Sequence, residues 1–258
     1  MKIRLINPNT SESMTMKMGS AASSIASNST QIVAVTPKDG PESIESHFDE
    51  AVSVFGVLDE VRKGELEQTD AYIVACFGDP GLYAARETTR APVIGIAEAS
   101  FHLATMISSR FSVVTTLART KIIAEHLLNN YGFSEHCRRV RAADIPVLDL
   151  EKEDGGRTLD IIISECLRAK KEDEIGAIVL GCGGMADLTP IISREVGIPV
   201  IEGVTAAVKL AESLISLNLT TSKYGDWAFP PQKTLKGSVH SLSITDSYQR
   251  LNRRYISS

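Results

Sequence analysis

Two stretches of the chain say nearly the same thing 106 residues apart. Ala71-Tyr-Ile-Val-Ala-Cys76-Phe-Gly-Asp-Pro-Gly81 is an apolar run that ends in a cysteine, then a turn, then a helix start. Ala177-Ile-Val-Leu-Gly-Cys182-Gly-Gly-Met-Ala186 repeats the plan. Two further anchors fall at almost the same offset. The prolines of Ala91-Pro-Val-Ile-Gly95 and Ile198-Pro-Val-Ile-Glu202 are 107 residues apart, and Asn7 and Thr115 are 108 apart. Strand-turn-helix units resemble one another in general, so the case for duplication rests on this shared offset. A chain that repeats itself in register folds as two similar halves.

Hydrophobic patterning fills in the halves. Strands are predicted at Lys2 to Ile6, Gln31 to Val35, Tyr72 to Ala75 and Pro92 to Ile96. The second half offers Phe111 to Thr115, Arg139 to Ala143, Ala177 to Leu180 and Ile198 to Ile201. Helical patterns alternate with them: Ser11 to Ala26, Thr120 to Asn130, Ala186 to Glu195 and Val204 to Leu217. Phe48, Ala51, Val52, Phe55 and Leu58 stand at helical spacing and predict one buried face. Leu159, Ile162, Ile163, Cys166 and Leu167 do the same. Asp79-Pro80 reads as the cap and first turn of a helix reaching Thr88. Alternating strands and helices imply an α/β fold of two similar domains with parallel sheets, related by a pseudo-two-fold axis. The expected domains are 1–97 and 98–204, with 205–258 packing back on the first domain. The tail from Thr220, with Trp227 and Pro230-Pro231, is expected to wrap over the first half or a neighbouring subunit.

Several function classes are excluded at this level. The 258 residues are 43% apolar and 23% charged, with a net charge of −5, which is a soluble globular composition. No strong basic cluster invites nucleic acid or an anionic membrane, and Arg138, Arg139 and Arg141 read as a solvated edge. No apolar run is long enough to span a bilayer and the N-terminus lacks the form of a signal peptide, so a cytoplasmic location is expected. Four cysteines without a zinc-type spacing read as free thiols. No metal and no cofactor is expected.

In parallel sheets, ligands bind beyond the carboxyl ends of the strands. Asn7, Cys76, Thr115 and Cys182 all sit there. If the halves face each other across a cleft, the two thiols point at a ligand from opposite sides. Helix N-termini after each cysteine would lower the thiol pKa, while Asp79 would raise that of Cys76. The N–H groups of Gly78, Gly183 and Gly184 either hold a carbonyl oxygen as it becomes an enolate or serve tight turns. Thr115 and Thr116 are either donors to a ligand or strand-end packing residues. The Phe77-Gly78 turn and the Trp227 tail suggest a closed site. Cys166 reads as core, Cys137 has no partner motif, and His47, His102 and His126 pack or face solvent.

At these residues the chain resembles the aspartate/glutamate racemase superfamily, and within it the hydantoin and allantoin racemases. The resemblance covers nearly the whole chain. It rests on Asn7-Pro-Asn-Thr10, Ser43-Ile-Glu45, Cys76-Phe-Gly-Asp-Pro-Gly-Leu82, Arg110-Phe-Ser-Val-Val-Thr-Thr116 and Leu180-Gly-Cys-Gly-Gly-Met-Ala186. Thr221-Ser-Lys-Tyr-Gly-Asp226 and Ala228-Phe-Pro look closer to the allantoin branch. The resemblance implies cofactor-independent 1,1-proton transfer by Cys76 and Cys182 in a cleft between two domains. It implies substrate contacts at Asn7, Ser43, Ile44, Phe77, Gly78, Thr115, Thr116, Gly183 and Gly184. It also implies a small neutral heterocycle as partner, allantoin or a 5-substituted hydantoin, and a homo-oligomer, in this family often a hexamer. The missing arginine clamp weighs against an amino-acid substrate. A ligand sensor on the same fold would not need two matched cysteines. A thiol redox protein would need them closer together in sequence.

Overall fold

In this computed structural model, which describes residues 1–152, 154–245 and Tyr248, eight parallel strands form two sheets of four. The first contains β1 (Lys2–Ile6), β2 (Gln31–Val35), β3 (Ala71–Val74) and β4 (Val93–Gly95) in the order β2-β1-β3-β4. The second contains β5 (Phe111–Thr115), β6 (Cys137–Ala142), β7 (Ala177–Gly181) and β8 (Val200–Ile201) in the order β6-β5-β7-β8. The two orders are one pattern used twice, and every pairing is parallel. This is the two-domain α/β arrangement expected from the repeat. Parallel ladders need crossovers, and the helices supply them.

The helices are α1 (Glu12–Ile25), α2 (His47–Leu66), α3 (Leu82–Thr88), α4 (Ile96–Ile107), which links the two sheets, α5 (Lys121–Asn130), α6 (Arg157–Glu172), α7 (Thr189–Val196) and α8 (Gly203–Ser216), which follows the last strand. Ser11 caps α1 and Ser46 caps α2, each hydroxyl accepting a backbone N–H from three residues on. Gly132, at φ +80°, closes the end of α5 as its position in the sequence implied.

Three expectations fail. The apolar spacing on α2 does not mark its buried face. Phe48 is 76% exposed and Val52 43%, while Ser53, Gly56, Val57, Glu60, Val61 and Gly64 are buried. Small residues decide this. Gly56 lies against Pro37 and Gly64 against the Tyr72 ring, so closely that a Cβ at either would overlap its neighbour. Glu60 can be buried because Arg4 of β1 meets it, both side chains being 5% exposed. Second, α3 starts at Leu82, with Gly81 at φ +72° before it, and Asp79 does not cap it. Asp79 accepts from the backbone N–H groups of Ala97 (3.1 Å) and Glu98 (3.0 Å) and so caps α4. Third, α7 begins at Thr189, after a 3-10 turn over Gly183–Met185, and Leu167 of α6 is 43% exposed.

The tail returns to the first half. Thr221 donates from its N–H to Arg90 O (2.7 Å) and from its hydroxyl to Ala91 O (2.8 Å). The Trp227 ring lies 4.8 Å from the Arg86 guanidinium and beside Tyr83. Of the segment 205–258 expected there, residues 246–247 and 249–258 fall outside the described residues. No helix among the described residues is long and apolar enough to cross a membrane.

The halves are joined where α8 crosses the first turn of α4. Glu202 caps α8 through the N–H groups of Val204 (2.7 Å) and Thr205 (2.6 Å). Gly203 rests on the backbone of Ile96, with no room for a Cβ. Gly203→Ala is therefore expected to lower stability by about 1–3 kcal/mol, the usual result of overpacking a tight contact. A urea midpoint unchanged from that of the native chain would show slack in this crossing.

Candidate active site

The carboxyl ends of both sheets open into one cleft, which encloses about 570 Å³ of empty space, part of it open to solvent. Cys76 stands just beyond β3 and Cys182 directly after β7, and both line it. So do Ile44, Phe77, Gly78, Thr115, Thr116, Gly183 and Gly184. Phe77 comes from the first half, yet it packs edge-on against Phe101 of α4, at 5.6 Å, in the core beneath the second sheet. This contact keeps the Cys76 turn registered against the other half.

Each sulfur accepts the N–H of the glycine two residues on, Gly78 for Cys76 and Gly184 for Cys182. Those two N–H groups therefore serve the thiols. The hydroxyl of Thr115 donates to Gly181 O (3.1 Å) and ties β5 to β7. The thiols do not have the lowered pKa expected of helix N-termini. Burial pushes Cys182 up to about 11 and Cys76 higher still. The reason is geometric. Cys182 is followed only by a 3-10 turn, and α3 begins several residues after Cys76, so loss of water outweighs any dipole. The ammonium of Lys17 eases ionisation of Cys182, whereas Glu50 and Asp79 oppose that of Cys76.

Two expected contacts do not reach the cleft. Asn7 is buried, and its amide nitrogen is committed to Asn9 (2.7 Å), Ser11 O (3.1 Å) and Thr15 (2.9 Å). It shapes the turn and leaves Asn9 to line the site. Ser43 is half-buried and outside the lining, because the loop turns its apolar neighbour Ile44 inward. Trp227 also lies elsewhere, held by Arg86 and Tyr83, and closes nothing over the thiols. Cys166 is fully buried in the second-half core, and none of the four cysteines is paired.

Sequence reasoning missed Val147 and Glu50. Val147 follows β6 as Ile44 follows β2, so carrying the repeat across the loops finds it. The two loops also meet, since Val147 N–H donates to Glu45 (2.9 Å). Glu50 had no such signal. It reads as an ordinary acid in the first turn of a helix, yet it is the one carboxylate among the described lining residues, which include no lysine or arginine.

Thiols held protonated by burial should alkylate slowly. The reaction needs thiolate, so the iodoacetamide rate at Cys182 should climb about tenfold per pH unit until the pH nears about 11. Cys76 should lag behind at every pH. Peptide mass spectrometry separates the two sites, and a plateau near neutral pH would contradict the burial.

Residues 3–211 match the family model described as Asp/Glu/Hydantoin racemase. A solved allantoin racemase from Klebsiella pneumoniae is 54% identical, with a TM-score of 0.92 over 94% of this chain and 98% of that one. The structure of an allantoin racemase from Pseudomonas fluorescens is 38% identical, with a TM-score of 0.86 over 92% of this chain and 100% of that one. A hydantoin racemase from Pseudomonas sp. (strain NS671) is 47% identical over 242 residues, 94% of this chain and 97% of that protein. With two matched sheets and a cleft at their carboxyl ends, this chain belongs to the Asp/Glu/Hydantoin racemase family of isomerases.

Proposed function

We propose that this chain racemises allantoin by cofactor-independent proton transfer between Cys76 and Cys182. The observation that carries the reading is the pair itself: two thiols at equivalent strand ends of two similar halves, lining one cleft. Racemisation needs a base on one face of a carbon and an acid on the other. The thiolate takes the ring hydrogen, and the electron pair of the C–H bond passes into the adjacent carbonyl as an enolate. The opposite thiol then donates its proton to the other face and becomes the thiolate. No oxidant or metal enters this balance. General acid–base help supplies about 10²–10⁴-fold, and positioning with oxyanion stabilisation supplies the rest. Thr116 and the backbone beside Gly183 line the cleft as candidate donors to that oxygen.

The substrate follows from the lining. It carries no cationic side chain for a carboxylate, and its polar groups suit a neutral heterocycle. The likeness to the Klebsiella pneumoniae allantoin racemase favours allantoin. Identities of 47% and 49% to two hydantoin racemases support the second reading, a broader specificity for 5-substituted hydantoins. Allantoin should be turned over with higher kcat/KM than a benzyl-substituted hydantoin, and the reverse order moves the assignment to the second reading. The proposal includes a homo-oligomer, for which exposed Phe48, Met106 and Leu217 offer apolar surface. Activity should survive exhaustive chelation and dialysis under reducing conditions, and recovery only on adding metal would refute the cofactor-free route.

If the thiols stand on opposite faces, each is the base for one enantiomer. In heavy water, Cys76→Ser should exchange the ring hydrogen of one enantiomer without racemising it, because a hydroxyl ionises far less readily than a thiol. Cys182→Ser should do so for the other. Proton NMR of each pure enantiomer with each variant reads this out, after uncatalysed exchange is subtracted. Near-normal racemisation by either variant, or exchange of the same enantiomer by both, sinks the two-thiol mechanism.

A further inference from the structure

We infer that Glu50 is the specificity-determining residue of this cleft, its carboxylate accepting N–H donors from the ureido substituent of the substrate. The inference rests on the allantoin reading above. Glu50 sits in the first turn of α2, and its side chain is 17% exposed, far less than a surface glutamate. One carboxylate oxygen, Oε2, is held by Nδ1 of His47 at 3.0 Å. The other, Oε1, lies over Gly78 so closely that a Cβ there would overlap it. It therefore rests on the turn that carries Cys76, with its lone pairs at the pocket wall.

The carboxylate is also braced from the opposite half. His47 stacks on His126 of α5, with ring centroids 5.9 Å apart and planes 16° apart. A carboxylate fixed through Oε2 by His47, with Oε1 over the Gly78 turn, lining a cleft whose described lining has no other charged residue, is an acceptor suited to donors on a bound molecule. The hydantoin ring is common to all substrates of this class. Only the ureido group adds a row of N–H donors beyond it. An alkyl or benzyl group at the same carbon has none, and would leave the buried carboxylate without its partner, which is where discrimination is strongest.

Kinetics with allantoin and 5-methylhydantoin test this on the full-length enzyme. Glu50→Gln keeps the shape and removes the charge. Glu50→Asp keeps the charge at the helix start, hence the fold, and withdraws the oxygens by one methylene. Removing the charge also eases ionisation of Cys76, but that acts alike on both substrates and cancels in their ratio. In both variants kcat/KM for allantoin should fall about tenfold or more beyond the fall for 5-methylhydantoin, chiefly through KM. Equal falls for the two substrates, or no fall in either, overturn the inference. The native enzyme tests the substrate reading separately. Should it prefer 5-methylhydantoin while Glu50→Gln still loses allantoin selectively, the substrate reading falls and the role of Glu50 stands.

Discussion

The position of Cys76 depends on a single buried carboxylate. Asp79 stands three residues on, with φ +45°, and its N–H closes the turn onto Cys76 O at 2.9 Å. Its side chain accepts from the first N–H groups of α4 and from the Tyr131 hydroxyl (3.0 Å) at the end of α5. Gly95 is required beneath it, since a Cβ there would overlap the carboxyl group. The thiol turn of the first half is thus fastened to the helix that leads into the second half, and to a residue of that second half. Burial still raises the Asp79 carboxyl to about 7, against those donors. Those donors only partly offset the cost of burying its charge.

The two halves share a scaffold but treat their cysteines differently. Both sulfurs accept a glycine N–H at the same sequence offset. Around that common contact the charges diverge. Lys17 reaches across from α1 to Leu150 O (3.3 Å), Gly184 O (3.4 Å) and Asp187 (3.2 Å), bringing a cation to the Cys182 side. Glu50 and Asp79 place carboxylates near Cys76. The repeat places two thiols at equivalent strand ends, and the loops around them set different charges beside each.

Much of this architecture is written in the sequence as period and punctuation. The strands, their parallel pairing and the cleft between two halves follow from apolar runs ending in turn residues at a constant offset. The cysteines are legible because they interrupt that pattern at its most informative point. Most of what failed to read were interactions whose partners lie far away in sequence. Asp79 looks like a local cap because capping rules run over three residues, yet its acceptor serves N–H groups 18 and 19 residues on. The buried face of α2 is set by Gly56, Gly64 and the Arg4–Glu60 pair, and a hydrophobicity pattern weighs glycine and glutamate as non-core. Asn7 sits at the right strand end, but its amide is spent within its own turn. Glu50 faces the cleft only because α2 presents its other side to solvent.

Burial also bears on the proposed proton exchange between two thiols. Loss of water around the sulfurs raises the pKa of both, so an ionised one is a stronger base than a thiolate in water. The same partial desolvation makes a second negative charge nearby costly, and the charge of Cys182 opposes ionisation of Cys76. Two thiolates together are thereby disfavoured relative to a thiolate facing a thiol. In the proposed mechanism that is the state in which one face of the carbon meets a base and the other an acid. After the proton crosses, the state is the same with the roles exchanged. The two exchanged states are not equal in the free protein, because Lys17 favours a thiolate on Cys182 while Glu50 and Asp79 oppose one on Cys76, and under the proposed mechanism a bound substrate has to offset that difference.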